Sequence, residues 1–227
     1  MSSSPSPTPN DLLHQALPPP KIGLVICSQR QPRIGNQIGT FIFNNLKQYQ
    51  QSTQHTSPNS LPYELSLIDL TDHPLPFFNE PGIPQLITDP LDYTHEHTRA
   101  WSKVITSHGA FIFVTPQYNW GYPANLKNAI DYLFNEWVGK PAMVVSYGGH
   151  GGGQSAGQLK QVLGAVRMKV VQKSVGLTFP GPGREFLAKA ARGDDLGLVP
   201  GEGLLWAKEV EEVKEVFDEL LKILHEK

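Results

Sequence analysis

Residues 111–131, FIFVTPQYNWGYPANLKNAID, decide how this chain is read. Phe111, Ile112, Phe113 and Val114 form an apolar run with no polar alternation. That pattern suits a strand covered on both faces, in the middle of a parallel sheet. The loop that follows holds two prolines, a glycine, three aromatics, a glutamine and an asparagine. Pro123 then stands where a first helical turn tolerates a missing N–H, and Leu126, Ala129, Ile130, Leu133 and Phe134 recur at helical spacing. Ligands of open α/β sheets bind in the crevice beyond the carboxyl ends of the strands. A stiff loop of aromatic faces and amide groups at that position is built to hold something flat and polar-edged.

Outward from this unit, strand and helix patterns alternate. Residues 21–27 read as a first strand closed by Cys27, residues 28–36 (SQRQPRIGN) as its turn, and residues 37–49 as a helix with Ile38, Phe41, Ile42 and Leu46 on one face. Residues 50–62, rich in Gln, Ser, Thr and Pro, read as a mobile insertion. Residues 63–70 are a second strand, 71–90 a proline-rich surface excursion, and 93–107 a helix. After the central strand, 142–146 is a fourth strand ending in YGGHGGG, 154–167 a helix and 170–175 a fifth strand. Residues 179–203 are glycine-rich and receive no assignment. Residues 204–225 form an amphipathic helix along Trp206, Val210, Val213, Phe217, Leu220 and Leu224. This alternation implies a doubly wound parallel sheet, and five strands favour the flavodoxin-like order 2-1-3-4-5. The expected organisation is one such α/β domain over residues 21–227, preceded by a Ser/Pro-rich disordered tail over residues 1–20.

The 227-residue chain has a formal charge of −2, so it offers no basic footprint for nucleic acid and no field for an anionic membrane. Without a run of about 18 apolar residues, nothing is expected to span a membrane. The single cysteine, Cys27, excludes an internal disulfide framework and fits a reducing compartment. At the end of the first strand it reads as a small core residue. The first 20 residues lack both an apolar core and an arginine, unlike a secretory or mitochondrial leader. A cytoplasmic protein is expected.

The turn after strand one has the chemistry of a phosphate site, which wants backbone N–H groups at a helix N-terminus and charge-assisted donors. Ser28, Arg30, Arg33 and Asn36 stand directly before a helix, and Gly35 lets the backbone come close.

Residues 116–131 (PQYNWGYPANLKNAID) together with 140–153 (KPAMVVSYGGHGGG) closely resemble the NADPH-dependent FMN reductase family, and within it the fungal NAD(P)H:quinone reductases. The resemblance covers roughly residues 21–175. It implies a flavodoxin-like fold, one FMN per subunit, NADPH or NADH as co-substrate, a quinone or flavin acceptor and usually a homodimer. It also implies that Pro116, Gln117, Tyr118 and Asn119 border the isoalloxazine, with backbone N–H groups along its N5 and O4 edge. Trp120 and Tyr122 would close the nicotinamide or quinone side, in the same or the partner subunit. Ser146, Tyr147, Gly148 and Gly149 would meet the pyrimidine edge, where N–H groups freed by glycines favour negative charge on the reduced ring. Arg30 and Arg33 would divide the FMN phosphate and the 2′-phosphate of NADPH between them. No side chain is expected to act as a catalytic acid or nucleophile, because the flavin performs the chemistry. His150 reads as a loop histidine, with a proton donor to a quinone as the sharper alternative.

Two rival patterns share these letters. Residues 153–157 fit G-x-S-x-G, with Asp194 or Asp195 and His225 following in hydrolase order. Ser155, however, lies too far past its strand for a nucleophile elbow. Gly151, Gly153 and Ala156 fit G-x-G-x-x-A, but on the fourth strand and with no acidic residue before Phe179. In that reading Arg167, Lys169 and Lys173 would meet a 2′-phosphate. A third class is a flavodoxin-like carrier that shuttles electrons, or regulates a partner, without turning over NAD(P)H.

Overall fold

The computed structural model describes residues 18–56, 62–181, 184–200 and 205–226. Most of the expected disordered tail, residues 1–17, therefore lies outside the described residues, as do 57–61 of the expected mobile insertion. The chain runs β1 (Lys21–Ile26), α1 (Gly35–Thr56), β2 (Glu64–Asp69), α2 (Glu96–Thr106), β3 (Ala110–Pro116), α3 (Ala124–Asp131), β4 (Pro141–Gly148), α4 (Gly153–Ala165), β5 (Lys169–Val170), β6 (Val175–Thr178), α5 (Glu185–Arg192) and α6 (Ala207–His225). The sheet is parallel in the order β2-β1-β3-β4-β5, with β6 also on β4. This is the expected 2-1-3-4-5 arrangement in a single domain.

The apolar run that opens the central stretch is buried on both sides. Ile112 and Val114 of β3 join Ile22, Leu24 and Ile26 of β1 and Met143 and Val145 of β4 in a core under α1 and α6. Phe111 and Phe113 point the other way, with Val25, Cys27, Ala142 and Val144, into a core closed by Trp101, Leu126, Ile130, Leu133, Trp137 and Leu159. Each large side chain so enclosed contributes roughly 1.5–3 kcal/mol of burial. Two cores on one sheet fix the strand register, because a one-residue slip would exchange the faces, and the parallel strand directions put the loops after the strands at one rim.

Two sequence expectations need correction, and a segment left unassigned contains a helix. The helix after the first turn continues through Thr56, so residues 50–56 are helical and not a mobile insertion; Gln50 Nε2 donates to the Tyr63 carbonyl at 2.8 Å. The fifth strand is broken where a continuous one was expected over 170–175. Val170 faces Ala142 and Val175 faces Val145, five steps on one strand against three on the other. Gln172, Lys173 and Ser174 are too polar for the core between Val171 and Val175, and they bulge outward. Beyond the bulge Gly176 lies so close to Gly151 that a Cβ on it would stand 2.9 Å from the Gly151 carbonyl oxygen. The glycine-rich segment 179–203 holds a helix, α5, whose Ala190 is buried.

Parallel pairing brings three loops to one rim. The Cys27 N–H donates to Val114 O, the Gln117 N–H to Tyr147 O and the Phe179 N–H to Gly148 O, at 3.1, 3.2 and 3.0 Å. Asn125 Nδ2 also reaches Cys27 O at 2.8 Å, tying the start of α3 to the end of β1. Among the described residues no helix is long and apolar enough to cross a membrane.

Candidate flavin site

The turn between β1 and α1 is held from beneath. Arg33 forms a two-point ion pair with Asp69 at the end of β2, at 2.9 and 2.6 Å, and also donates to Ser28 O at 2.6 Å and Thr71 Oγ1 at 3.1 Å. Burial alone would raise the Asp69 carboxyl, but the hydrogen bonds from Arg33 and Thr71 outweigh it and hold it below the ordinary aspartate range. The Arg33 charge is thus already matched. Arg30 is exposed and makes one bond, from Nη2 to Ala190 O at 3.2 Å. Gln29 Nε2 donates to Leu70 O at 2.6 Å, a further tie to β2.

At the centre of this turn is a space only glycine leaves open. A Cβ on Gly35 would stand 1.9 Å from Ser28 Oγ and 2.7 Å from the Tyr147 hydroxyl. Ser28 is buried, and its Oγ completes no hydrogen bond among the described residues. Burial pushes the Tyr147 phenol well up, with the neighbouring Ser28 hydroxyl acting more weakly the other way. A buried hydroxyl without a partner is costly, by roughly 1–3 kcal/mol, unless something comes to meet it.

The second loop is a tight hairpin. Tyr118 and Gly121 exchange N–H···O bonds of 2.9 and 3.0 Å, and Asn119 and Trp120 between them both have positive φ, 46° and 67°. This is the primed two-residue turn, in which asparagine is at ease and tryptophan is not. Trp120 is 65% exposed at its tip. The Gln117 and Tyr118 amides are spent on Tyr147 O and Gly121 O, so the loop keeps fewer free donors than the sequence suggested. Gln117 Oε1 instead accepts from the Gln154 and Ser155 amides, at 3.1 and 3.4 Å, capping α4.

In the third loop Ser146 Oγ donates to Gly151 O at 2.7 Å, and Gly151 and Gly152 take positive φ. Gly152 has no room for a side chain: a Cβ there would stand 2.9 Å from the Ser146 Cβ. The turn delivers the chain into α4.

A cleft with about 550 Å³ of empty space, part of it open solvent, gathers these loops. Ser28, Arg30, Arg33, Pro116, Gln117, Tyr118, Tyr147, Gly148 and Gly149, all candidates from the sequence, line it. Asn36, Asn119, Trp120 and Ser146 stand outside the lining; Ser146 is buried under it as a brace, and Asn36 is exposed on α1. Sequence reasoning missed Phe179, Leu187, Ala190 and Ala191, which close one side. The only trace of them was the helical spacing of Phe186, Leu187 and Ala190 in EFLAKAAR. His150 is exposed and outside the lining.

The rival patterns fail on geometry. Ser155 is buried in the first turn of α4 and donates to Pro116 O at 2.9 Å. His225 ends α6, whose Leu224 lies by Gly109 at the opposite rim. Arg167 stacks over Phe134, Lys169 opens β5 opposite Pro141 at that same far rim, and Lys173 pairs with Glu215.

An order 2-1-3-4-5 sheet with glycine and amide turns converging at its carboxyl rim defines the flavodoxin-like class. Within it this chain belongs to the NADPH-dependent FMN reductase family, whose model matches residues 20–179. That makes it an oxidoreductase using FMN and NAD(P)H. It is 44% identical over 161 residues to an NAD(P)H-dependent FMN reductase of Schizosaccharomyces pombe, covering 71% of this chain and 74% of that one. It is 33% identical over 214 residues to another of Nectria sp, covering 90% and 96%. The flavoenzyme NAD(P)H:(acceptor) oxidoreductase FerB of Paracoccus denitrificans shares the fold, with a TM-score of 0.57 at 19% identity, over 90% of this chain and 97% of that one.

Proposed function

We propose that this chain passes two electrons from NAD(P)H to a quinone or to free flavin in two successive half-reactions at one cleft. The observation that carries this reading is the Ser28 hydroxyl, buried with no partner among the described residues, beside the Gly35 space and within reach of the N-terminus of α1. An anionic phosphate group answers all three features at once. Ser28 and the first amides of α1 would hold the FMN phosphate, with Arg30 supplying the charge that Arg33, matched to Asp69, does not. Pro116 to Tyr118, Tyr147, Gly148 and Gly149 would border the ring. When bound, FMN supplies hydride acceptance and donation at N5. The Gln154 and Ser155 amides that open α4 are already taken by Gln117 Oε1, so the peptide groups of Gly148 and Gly149, which line the cleft, would face the ring edge and favour negative charge there.

The strained, exposed Trp120 supports a role in contact with something beyond this subunit. Phe77, Phe78 and Tyr122 border a hollow beside α3, and Gln158, which also borders it, holds the Trp120 carbonyl at 3.1 Å. A homodimer through this face accounts for these exposed aromatics. A cytoplasmic setting agrees with the single, buried and unpaired Cys27.

The test is an absorbance spectrum of the purified protein, HPLC of the released chromophore, and NADPH oxidation with a quinone. A yellow protein releasing FMN, with quinone-dependent NADPH oxidation well above that of free FMN, is expected. Colourless protein that FMN does not reconstitute overturns the cofactor assignment. FMN binding with no quinone-dependent turnover would instead mark an electron carrier. Light scattering on the same sample reports the dimer.

A further inference from the structure

We infer that α5 and the turn after it are a retention strap that keeps FMN resident between turnovers. This rests on the FMN assignment above. The strap lies beyond residue 179, where the match to the family model ends. Yet Leu187, Ala190 and Ala191 form a wall of the cleft facing the phosphate turn.

The strap is tied to that turn at several points. Gln37, in the first helical turn of α1, donates through Nε2 to Asp194 O at 3.0 Å and Gly193 O at 3.5 Å, and accepts from the Leu196 amide at 2.9 Å. Gly193, at φ 71°, packs directly on the turn: a Cβ there would stand 2.8 Å from Pro32 Cβ and 3.3 Å from the Arg33 amide nitrogen. Arg30 reaches the last turn of α5 at Ala190 O, where a cation meets the negative end of the helix. From the other side Phe186 packs on Phe179 and Trp206, with ring centroids 5.0 and 6.2 Å away, and the Trp206 indole N–H donates to Thr178 O at 2.6 Å. The strap therefore bridges the cleft from the β6 edge to the phosphate turn. A cofactor held by Ser28 and Arg30 could not leave past α5 while those ties were made. FMN would then be held longer with the strap in place, and opening of the Gln37 ties would speed its release.

Two substitutions loosen the strap from its two ends at residues outside the cleft lining: Gln37→Ala and Phe186→Ala. The measurement is the FMN dissociation rate, read as recovery of free-flavin fluorescence on large dilution into buffer, with limited proteolysis of the unaltered protein with and without FMN. We expect at least tenfold faster release in both variants. We also expect FMN to protect residues 184–197 from cleavage. Release within twofold of the unaltered protein in folded variants, or cleavage indifferent to FMN, overturns the strap. Should neither variant fold, the proteolysis comparison on the unaltered protein still decides. Failure of the unaltered protein to bind FMN at all would instead sink the cofactor assignment.

Discussion

The two rims of the sheet hold similar residue types and use them in opposite ways. At the amino rim His108 and Lys140 are spent on the end of α2: His108 Nδ1 lies 2.8 Å from Val104 O, and Lys140 Nζ donates to Ile105 O at 2.7 Å. The other His108 nitrogen meets Ser66 Oγ at 2.7 Å. Burial lowers both pKa values, that of Lys140 to about 8. At the carboxyl rim Arg33 is equally committed, but Arg30 is exposed and Ser28 is buried without a partner among the described residues. One rim is satisfied within the protein, and the other leaves capacity over. The difference teaches that a charged or hydroxyl side chain near a strand end marks a site only when its hydrogen-bonding is incomplete.

The largest expected effect that would test this contrast comes from filling the glycine space. Gly35→Val should weaken FMN binding by roughly a hundredfold, about 2.7 kcal/mol, in a fluorescence titration. Unaltered affinity would show that the phosphate does not sit there.

The arginines should separate next. Arg30→Ala is expected to weaken FMN binding roughly tenfold, the scale of one lost charge-assisted contact, and Arg33→Ala by less, because the Arg33 charge is already matched to Asp69. Only the second should change acid stability, because it releases Asp69. The folded Asp69 pKa lies below the unfolded one, so its stabilisation is complete above about pH 4 and is lost as pH falls through the folded value. The gap in melting temperature between the unaltered protein and Arg33→Ala should therefore be constant near neutrality and close in acid. An equal gap for Arg30→Ala would erase the distinction drawn between the two.

The smallest effect belongs to the amino rim. Lys140→Met should leave FMN affinity unchanged while altering the pH dependence of unfolding. With its pKa lowered from 10.5 to about 8, Lys140 opposes folding fully below pH 8, and that opposition is relieved as pH rises from 8 to 10.5. The unaltered protein should gain stability relative to the methionine variant across that window in thermal melts. A change in FMN affinity would mean that the rims are coupled.

Much of this was legible in the letters. The both-face burial of β3 followed from four consecutive apolar residues, and the strand order from the repeated alternation of strand and helix patterns. The turn after β1 was marked as a candidate phosphate site by serine, arginines and glycine before a helix. The division of labour between Arg30 and Arg33 was not, because Asp69 is 36 residues from Arg33 in the chain and meets it only through strand pairing. Trp120 and Ser146 were placed in the right loops but not in the cleft lining. A hairpin turn aims the first outward, and a hydrogen bond to Gly151 O holds the second beneath.

By itself the sequence determined the sheet, its two cores and the rim at which three loops emerge, because these depend on local periodicity and on hydrophobic residues having one place to go. Only the tertiary structure decided which polar groups remain unspent at that rim, and that a helix from residues 185–192 walls the cleft. Hydrogen-bond partnership is settled by contacts between distant parts of the chain, and no pattern along it records which donor is already taken.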